Sequence, residues 1–485
     1  VATRGFHTDG HAFLEDALAR GAVALVVERL DAVPNVPARL PVSLVPDARQ
    51  ALSRAAAAFY DHPSHDLFVI GVTGTDGKSS TASFIEQILS SAGYPTGLIS
   101  TVTVKTGDTS RKNPNRQSTP EAVSLHGYLA DMRDAGKQFA VVEATSHGLS
   151  LRTARLADVR FEAAVFTNLS HEHLEFHGTL EQYRSDKANL FRALDHAGAK
   201  AFGVVNANDE HASYMESTTN KPIFRYAVEP YTDKNGPLHL FARDLSPQLD
   251  GTSFTLLDEQ GTGRPARVPM PGTFQVENAL AALLAASQAT GLSALELSRA
   301  LEHLEAVDGR LVPVGKNLPF AVVVDYAHTP NSYEKLFPII RTSTPGRIIA
   351  VFGSAGERDV EKRPLQGAVA ARHVDLIVLC DEDPREEDGE RIISEIARGI
   401  SEAAPQKREG VDYLIIPDRT QAIREAVDRA RPGDTVVLLG KGHESNMIYP
   451  DGPRPWNEAE VARTVLIEAG YNVAGSEPSI EEATT

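Results

Sequence analysis

The stretch Leu67–Ser91, LFVIGVTGTDGKSSTASFIEQILSS, decides the fold of the chain. Its first residues, Leu67–Val72, form an unbroken apolar run with β-branched members, which is typical of a strand buried on both faces of a parallel sheet. From Ser80 onward apolar residues recur at helical spacing, and Gly93 can end the helix. The sequence therefore predicts a strand, a short polar loop and a helix in direct succession.

The loop Thr73–Ser79 has the composition of a phosphate-binding loop. Its glycines let backbone N–H groups close around phosphate oxygens at the N-terminus of the following helix. Lys78 can neutralise the charge of the β- and γ-phosphates, and the Ser79 hydroxyl can face Mg²⁺. The standard pattern has glycine where this chain has Val72. Strand, lysine, hydroxyl and helix in register still predict nucleotide binding.

Composition and charge exclude several classes of protein. The 485 residues suggest about three domains, and a hydrophobic content of 42% is ample for several cores. A formal net charge of −17 argues against nucleic-acid partners and anionic membranes. The single cysteine, Cys380, excludes an intramolecular disulfide and lies in an apolar run typical of a core. No segment has the length of a membrane span and nothing at the start resembles a secretory signal, so we expect a cytoplasmic protein without membrane insertion.

Alternating strand and helix patterns predict an α/β chain of three domains. Residues 1–66 form a small N-terminal domain, which begins without methionine and is expected to be truncated. Residues 67–308 form a central domain with a phosphate-loop mononucleotide-binding sheet and a β insertion at Pro237–Val268. Residues 309–485 form a C-terminal domain with a Rossmann-like, doubly wound sheet. The predicted strands are Val23–Val27, Leu67–Val72, Thr96–Ser100, Phe139–Ala144, Ala163–Asn168, Ala201–Asn206, Phe320–Val324, Arg347–Phe352, Leu376–Leu379, Tyr413–Ile416 and Thr435–Leu439.

Polar loops follow all five strands predicted in the C-terminal domain. In doubly wound sheets ligands gather at the carboxyl ends of the strands, so we expect these loops to converge on one crevice. Within Asp381–Asp388, Asp383 could take an ammonium group and Arg385 a carboxylate as a bidentate pair. An ammonium and a carboxylate are the two charged groups of a free amino acid. A solvated acidic loop is the plainer interpretation.

Three features of the central domain have two interpretations each from the residues alone. Glu143 follows a predicted strand, where it could hold Mg²⁺ beside the phosphate loop or be a surface acid. The stretch Thr167–Gly178 contains three histidines and two acids. Their i, i+2 spacing excludes a helical zinc motif and leaves either a metal-binding loop or solvated histidines. Lys187 could have a special role, but its surroundings favour an ordinary surface lysine that pairs with a nearby acid.

Taken together, these stretches resemble the Mur ligases, and among them the branch that forms the tripeptide. The match is collinear from about Phe6 to Tyr449 and depends on an ordered set of motifs. The motifs are GVTGTDGKSS, EATSHGL, TNLSHEHLEFHGTLEQYRSDKANLF, GTFQVENALAA, DGR, VDYAHTP, VFGSAGERDVEKRPL, DEDPREED and LGKGHE. The resemblance implies an ATP-dependent amide ligase, in which a carboxylate attacks the γ-phosphate of ATP and an amine converts the acyl phosphate to an amide.

The resemblance also implies roles for individual residues of the central domain. Lys187 would be carbamylated, which reverses its interpretation from the residues alone. Ser79 and Glu143 would bind one Mg²⁺, and His173 with Glu143 and Lys187 would surround a second. Lys78, Glu143, His173 and Lys187 would be the catalytic residues. The residues implied in ATP binding are Gly74, Thr75, Asp76, Gly77, Lys78, Ser79, Asn278, Arg310 and Asp325.

Two substrate pockets are implied as well, with residues 1–66 binding the UDP-sugar and residues 309–485 the amino acid. Asp383 stands where members that add meso-diaminopimelate have asparagine, which favours L-lysine or L-ornithine, whereas Arg385 equally suits an extra carboxylate. We expect a monomer that takes a UDP-N-acetylmuramoyl-dipeptide and a free diamino acid. The candidates for the muramoyl-dipeptide are Ser118, Thr119, Thr145 and Arg155. The candidates for the amino acid are Arg358, Asp383, Arg385, Gly440 and Glu444.

Three alternative functions are weighed against this one. Folylpolyglutamate synthase shares the phosphate loop and the carboxylate-to-amide chemistry, but DYAHTP, GKGHE and the DPR loop count against it. A simpler ATPase or kinase would leave the C-terminal loops without a purpose. An inactive Mur-like nucleotide-binding module is disfavoured by Lys78, Glu143, His173 and Lys187.

Overall fold

The structure, a computed structural model, forms two compact units. The first comprises Val1–Asp244, Phe254–Ala266 and Phe274–Leu304, and the second Leu245–Ser253, Arg267–Thr273 and Glu305–Thr485. The predicted boundaries of three domains, 1–66, 67–308 and 309–485, stay a prediction. The described residues are 1–5, 8–34, 39–113, 118–170, 174–231, 236–248, 251–307, 309, 311–315 and 318–473.

The N-terminal part of the first unit pairs two short parallel strands and carries two helices. The longer helix begins at Ala48, because Asp47 accepts hydrogen bonds from the N–H groups of Arg49 and Gln50 and so caps it. The elements are β1 (Leu25–Val27), β2 (Val42–Leu44), α1 (Leu14–Ala19) and α2 (Ala48–Phe59).

A sheet of eleven strands follows, with the order β13-β12-β11-β10-β9-β8-β3-β7-β4-β5-β6. The strands are β3 (Phe68–Thr73), β4 (Thr96–Ile99), β5 (Thr103–Lys105), β6 (Arg111–Lys112), β7 (Phe139–Glu143), β8 (Ala163–Phe166), β9 (Phe202–Asn206), β10 (Ile223–Val228), β11 (Leu240–Gln248), β12 (Gly251–Asp258) and β13 (Gly263–Val268). The helices are α3 (Lys78–Ser91), α4 (Ala122–Asp134), α5 (Ser146–Leu149), α6 (Leu174–His177), α7 (Leu180–Ala193), α8 (Ala212–Glu216), α9 (Thr273–Thr290) and α10 (Ala294–Leu297).

Strand β3 lies between β7 and β8 and pairs with both in parallel. Its side chains are buried from Val69 to Thr73, as expected for a strand covered on both faces. Val72 is the register partner of Glu143. Because parallel strands end at the same edge of a sheet, this register places the Glu143 carboxylate beside the phosphate loop that follows β3.

The second unit contains a sheet of six strands in the order β14-β15-β19-β16-β17-β18. Its pairs are parallel except for the short edge pair of β14 with β15. The strands are β14 (Val312–Pro313), β15 (Ala321–Asp325), β16 (Ile348–Phe352), β17 (Leu376–Leu379), β18 (Tyr413–Ile415), β19 (Thr435–Leu439), β20 (Asn446–Tyr449) and β21 (Gly452–Pro455). The helices are α11 (Pro330–Thr342), α12 (Lys362–His373), α13 (Gly389–Ala403), α14 (Arg419–Arg429) and α15 (Glu458–Glu468).

All eleven strands predicted from the sequence are confirmed, with ends that shift by one or two residues. Cys380 is buried in the apolar core of the second unit, as predicted. The sequence analysis missed β2, β5, β6, β10, β14 and the hairpin β20–β21. Apart from β10, these strands have only two to four residues each, so they are too short for periodicity to mark them. Among the helices of the described residues, none has both the length and the apolar composition needed to span a membrane.

Candidate active site

The phosphate loop connects β3 to α3. Gly77 has φ +81° at the N-cap position of α3, a left-handed conformation that favours glycine. A Cβ added to Gly77 would lie 2.2 Å from Asn278 Oδ1, so Asn278 of α9 packs directly against the loop. Lys78 Nζ donates to the Thr75 carbonyl at 2.7 Å. These residues meet at the N-terminus of a helix, where free N–H groups favour a phosphate.

Helix α7 supports the loop from the other side. Lys187 is buried, and its Nζ donates to the Gly74 carbonyl at 2.5 Å. The same nitrogen lies 4.4 Å from the centroid of the Tyr183 ring, whose hydroxyl is 3.2 Å from Thr75 Oγ1. The interpretation of Lys187 as a surface lysine is therefore wrong, since its position inside the fold beside the phosphate loop leaves it almost no contact with solvent.

Asp76 of the loop is held by two residues that follow β8. Its N–H donates to Asn168 Oδ1 at 2.9 Å, and its carbonyl accepts from Thr167 Oγ1 at 2.7 Å. Both partners directly follow β8, which ends beside β3 in the sheet. The backbone of the loop is thus held from β8, α7 and α9, as a preorganised anion site requires.

Glu143 ends β7 and lies against the first turn of α3. Ser79 Oγ donates to Glu143 Oε2 at 2.9 Å. Thr101 donates twice to the same carboxylate, from its N–H at 2.7 Å and from its hydroxyl at 2.9 Å. Glu143 is buried, so the surface-acid interpretation is wrong.

The residues around the loop fit a magnesium ion. Ser79 and Glu143 offer a hydroxyl and a carboxylate, the oxygen ligands that Mg²⁺ takes together with waters and substrate phosphates. Within the part of the chain that the structure describes, no group of three or more His, Cys, Asp and Glu side chains could hold a metal ion. His173, predicted beside a second ion, and Arg310, predicted at ATP, lie outside the described residues.

The residues predicted for the muramoyl-dipeptide gather at the carboxyl end of β7. Thr119 Oγ1 donates to the Glu143 carbonyl at 3.0 Å and lies 2.9 Å from Thr145 Oγ1. Arg155 Nη1 donates to the Thr119 carbonyl at 3.3 Å. Ser118 precedes Thr119 in the chain and is half-buried. Hydroxyl groups and one guanidinium therefore lie next to the carboxylate that faces the phosphate loop.

In the second unit, a charged cluster follows β17 and β19. Lys441 Nζ donates to Asp383 Oδ1 at 2.8 Å and also to the Glu444 carboxylate. The Lys441 side chain is completely buried. Burial opposes its charged form, but the carboxylates of Glu444 and Asp383 outweigh burial and raise the pKa of Lys441.

Glu382 adds a third carboxyl group to this cluster. It is buried, and its Oε2 has no hydrogen-bond partner among the described residues. A Cβ added to Gly440 would lie 2.3 Å from that oxygen. Burial raises the pKa of Glu382, although the positive charges of Lys362, Arg419 and Lys441 oppose the shift.

The remaining residues predicted in the second unit are less closely connected. Asp325 accepts from the Leu311 N–H at 2.8 Å, and its carbonyl accepts from the Gly440 N–H at 3.2 Å. Arg385 has φ +57°, and its Nε is buried without a hydrogen-bond partner among the described residues. Arg358 is exposed, and no hydrogen bond or ion pair joins its side chain to the described part of the chain.

Four residues join these clusters although the sequence analysis gave them no individual role. Glu382, Lys441 and His177 lie inside motifs already quoted, so those motifs were the available signal. Thr101 had none, because its contacts depend on tertiary structure. His177 Nδ1 lies 2.7 Å from Asp186 Oδ2, and its Nε2 lies 3.1 Å from Ser146 Oγ, which links α7 to α5.

Comparisons with known proteins agree with this geometry. Family models match in three places: the Mur ligase family catalytic domain at residues 1–60, the Mur ligase middle domain at 72–286 and the Mur ligase glutamate ligase domain at 309–442. UDP-N-acetylmuramyl-tripeptide synthetase of Roseiflexus sp. (strain RS-1) is 48% identical over 97% of this chain and 92% of the relative. The chain belongs to the Mur ligase family.

Two further comparisons support the assignment to the Mur ligases. UDP-N-acetylmuramyl-tripeptide synthetase of Treponema denticola is 43% identical over 96% of this chain and 89% of its own length. A solved UDP-N-acetylmuramoyl-L-alanyl-D-glutamate–2,6-diaminopimelate ligase superposes with a TM-score of 0.63 at 31% identity, over 96% of this chain and 90% of that one. The α/β fold and the resemblance drawn from the motifs are confirmed. This Mur ligase is an ATP-dependent enzyme of peptidoglycan biosynthesis.

Proposed function

We propose that this Mur ligase adds a diamino acid as the third residue to UDP-N-acetylmuramoyl-L-alanyl-D-glutamate. The observation that carries the proposal is the similarity, over nearly the whole chain, to relatives named UDP-N-acetylmuramyl-tripeptide synthetase. An acceptor carboxylate oxygen attacks the γ-phosphorus of ATP, ADP leaves and an acyl phosphate forms. The amine nitrogen of the amino acid then attacks the acyl carbon, loses a proton and releases inorganic phosphate.

The protein contributes positioning and charge neutralisation to this reaction. We assign the γ-phosphate to Lys78 and to the backbone N–H groups at the start of α3, with Asn278 packed against Gly77. The N–H groups of Thr75 and Asp76 donate to Asn168 and so shape the loop. Ser79 and Glu143 are assigned to Mg²⁺, which neutralises phosphate charge when it is bound. His173, Arg310 and Asp325 keep their predicted roles at a second ion and at the nucleotide.

We assign a carbamate to Lys187. The ammonium first loses a proton; the neutral amine then forms an N–C bond to CO₂ and releases a second proton, so that a cationic side chain becomes an anionic one. The buried position of Lys187 beside the Gly74 carbonyl supports this assignment, because a carboxylate group there would lie next to the phosphate loop. A lysine amine also changes its protonation state readily when it is buried.

We assign the dipeptide end of the acceptor to Ser118, Thr119, Thr145 and Arg155, and the uridine end to residues 1–66. Arg155 offers guanidinium N–H groups to a carboxylate. Its Nη2 already pairs with Glu121 at 2.8 Å, so the acceptor would share this guanidinium with a surface acid.

For the incoming amino acid we propose L-lysine or L-ornithine in preference to meso-diaminopimelate. The charge of Asp383 does not by itself favour a basic substrate, because Lys441 pairs with it. The triad as a whole does, since the two carboxylates of Asp383 and Glu444 pair with the single ammonium of Lys441 and leave a formal charge of −1. The free Nε of Arg385 suits a carboxylate, and the α-carboxylate that all three amino acids share meets that requirement.

The test is a panel of L-lysine, L-ornithine and meso-diaminopimelate with ATP and UDP-N-acetylmuramoyl-L-alanyl-D-glutamate, with products identified by mass. We expect ADP release only when acceptor and diamino acid are both present. Equal turnover with folate and glutamate would overturn the ligase assignment. A product formed with meso-diaminopimelate and neither other amino acid would overturn only the choice of amino acid. We further propose that the enzyme acts as a monomer in the cytoplasm, where ATP is available.

A further inference from the structure

The ammonium group of Lys441 bridges two loops of the second unit. One loop follows β17 and carries Asp383, and the other follows β19 and carries Glu444. Lys441 Nζ donates to both carboxylates although its side chain has no exposed surface. Lysine is rarely buried to this extent unless its charge is paired. The bridge is therefore a built part of the cluster and does not result from a flexible surface side chain.

Each of the two carboxylates accepts one further hydrogen bond from a described residue. Neither of these two donors contacts both carboxylates. Asp383 Oδ1 also accepts from the Ile448 N–H at 2.9 Å. The other oxygen of Glu444 accepts from the Tyr326 hydroxyl at 3.3 Å. Within the described residues, Lys441 is the group that touches both acids. Without its ammonium the two carboxylates would repel each other across the gap.

Charge also argues against a purely structural role for Lys441. Two carboxylates and one ammonium leave this triad with a formal charge of −1. Replacing a buried ion cluster by apolar side chains is often neutral or even stabilising, so stability alone does not account for two carboxylates around one buried lysine. The residual negative charge can instead attract a substrate cation.

We propose that Lys441 is a positioning residue for the incoming amino acid, which it does not itself need to touch. Its ammonium holds Asp383 and Glu444 at a fixed separation, so that the ammonium group of the diamino acid can donate to Asp383 Oδ2 and to Glu444 Oε1, which also accepts from the Tyr326 hydroxyl. The inference rests on the proposed function, because it requires that these carboxylates contact the diamino acid. It goes beyond that function by naming the group that sets their geometry and net charge.

The test is steady-state kinetics of Lys441→Met, Asp383→Asn and the double variant Lys441→Met/Asp383→Asn. We expect Lys441→Met to raise KM for the diamino acid about tenfold or more, because a buried charge pair loses one partner. KM for ATP and for the muramoyl-dipeptide should stay within about twofold. Because Lys441 acts through Asp383, the rise of KM in the double variant should be smaller than the product of the two single rises. Lys407→Met is the matched control, since Lys407 Nζ donates to the Val374 carbonyl and has no carboxylate partner among the described residues.

A pH profile separates positioning from simple loss of stability. In Lys441→Met the two unpaired carboxylates should share a proton, so KM for the diamino acid should fall as pH rises from about 5 to 8. The wild-type enzyme and Lys407→Met should lack that slope. Unchanged KM values in Lys441→Met, or a parallel rise for all three substrates, would overturn the proposal. If Lys441→Met does not fold, the double variant compared with Asp383→Asn decides in the same way.

Failure of the proposed function has a different signature. If Asp383→Asn and Glu444→Gln leave KM for every amino acid unchanged, the pocket itself is wrong. If both variants raise that KM while Lys441→Met does not, only the positioning role of Lys441 is wrong.

Discussion

Two buried lysines show how a single side chain can define a site. Lys441 pairs with two carboxylates, which keeps it charged. Lys187 lies beside the Gly74 carbonyl and the Tyr183 ring, next to a loop that is suited to phosphate. From the sequence alone both are lysines in polar surroundings, and only the family motif singles out Lys187. The burial that gives each residue its chemistry arises from tertiary packing, which residue spacing does not encode.

Lys187→Ala should lower kcat about a hundredfold or more, because it removes a positioned charged group from the site of phosphoryl transfer. Added formate or acetate should restore part of the activity by occupying the place of the carbamate. Lys200→Ala, at an exposed lysine of the same unit, is the control and should leave kcat unchanged. Full activity of Lys187→Ala, or no response to short carboxylates, would remove the carbamate role.

Glu382 should make stability depend on pH. Burial raises the pKa of Glu382 above its ordinary value of 4.5, so the folded state holds this proton at a pH where the unfolded chain has released it. Unfolding free energy should therefore fall as pH rises from about 4.5 through the raised pKa. Glu382→Gln should flatten that slope. Urea unfolding at several pH values measures the effect, and an equal slope in both proteins would contradict it.

At the scale of elements, the phosphate loop illustrates what spacing can and cannot reveal. The apolar run of β3 and the helical spacing of α3 predict the strand, loop and helix to within two residues. The support of the loop by Asn278 of α9 could not be derived from spacing, because about two hundred residues separate them. The same holds for Thr101, which reaches Glu143 through the pairing of β4 with β7. Local pattern determines elements, whereas contacts between elements need the folded chain.

Gly77→Ala should weaken ATP binding. A Cβ would lie 2.2 Å from Asn278 Oδ1 and would force the loop or α9 to move. The matched control is Gly93→Ala, with a similar φ of +88° but nothing within 4 Å of the added Cβ. Both variants should lose about 1–2 kcal/mol from left-handed strain. KM for ATP should rise in Gly77→Ala alone, and an equal rise in both would contradict the contact argument.

The ion pair of Arg419 with Glu458 joins α14 to α15. Both side chains are fully buried, with Arg419 Nη2 2.6 Å from Glu458 Oε1. Arg419→Met should destabilise the protein by about 3–5 kcal/mol, because Glu458 would keep an unpaired buried charge. Arg424→Met, on the same helix, removes a partly exposed pair with Glu468 and should change stability by about 0–1 kcal/mol. Denaturant unfolding compares them, and similar losses would refute the burial argument.

At the scale of the whole molecule, most of the predicted nucleotide residues belong to the first compact unit, whereas Asp325 and the predicted amino-acid residues belong to the second. Asn278 is in the first unit, and Glu444 is in the second. Asn278→Ala should therefore raise KM for ATP and leave KM for the diamino acid unchanged, whereas Glu444→Gln should do the reverse. Initial rates at saturating concentrations of the other substrates measure both constants. If each variant raises both KM values equally, the assignment of ATP to Asn278 and of the diamino acid to Glu444 is wrong.

Cys380 gives this enzyme a practical advantage for spectroscopy. It is the only cysteine in the chain, and burial raises its pKa to about 12, so its thiol is unreactive at neutral pH. The natural sequence therefore needs no thiol removed before labelling. A cysteine introduced at exposed Phe59 or Val411 would be the sole target of a maleimide dye. A donor and an acceptor fluorophore at these two positions would report inter-unit distances, molecule by molecule, as each substrate is added.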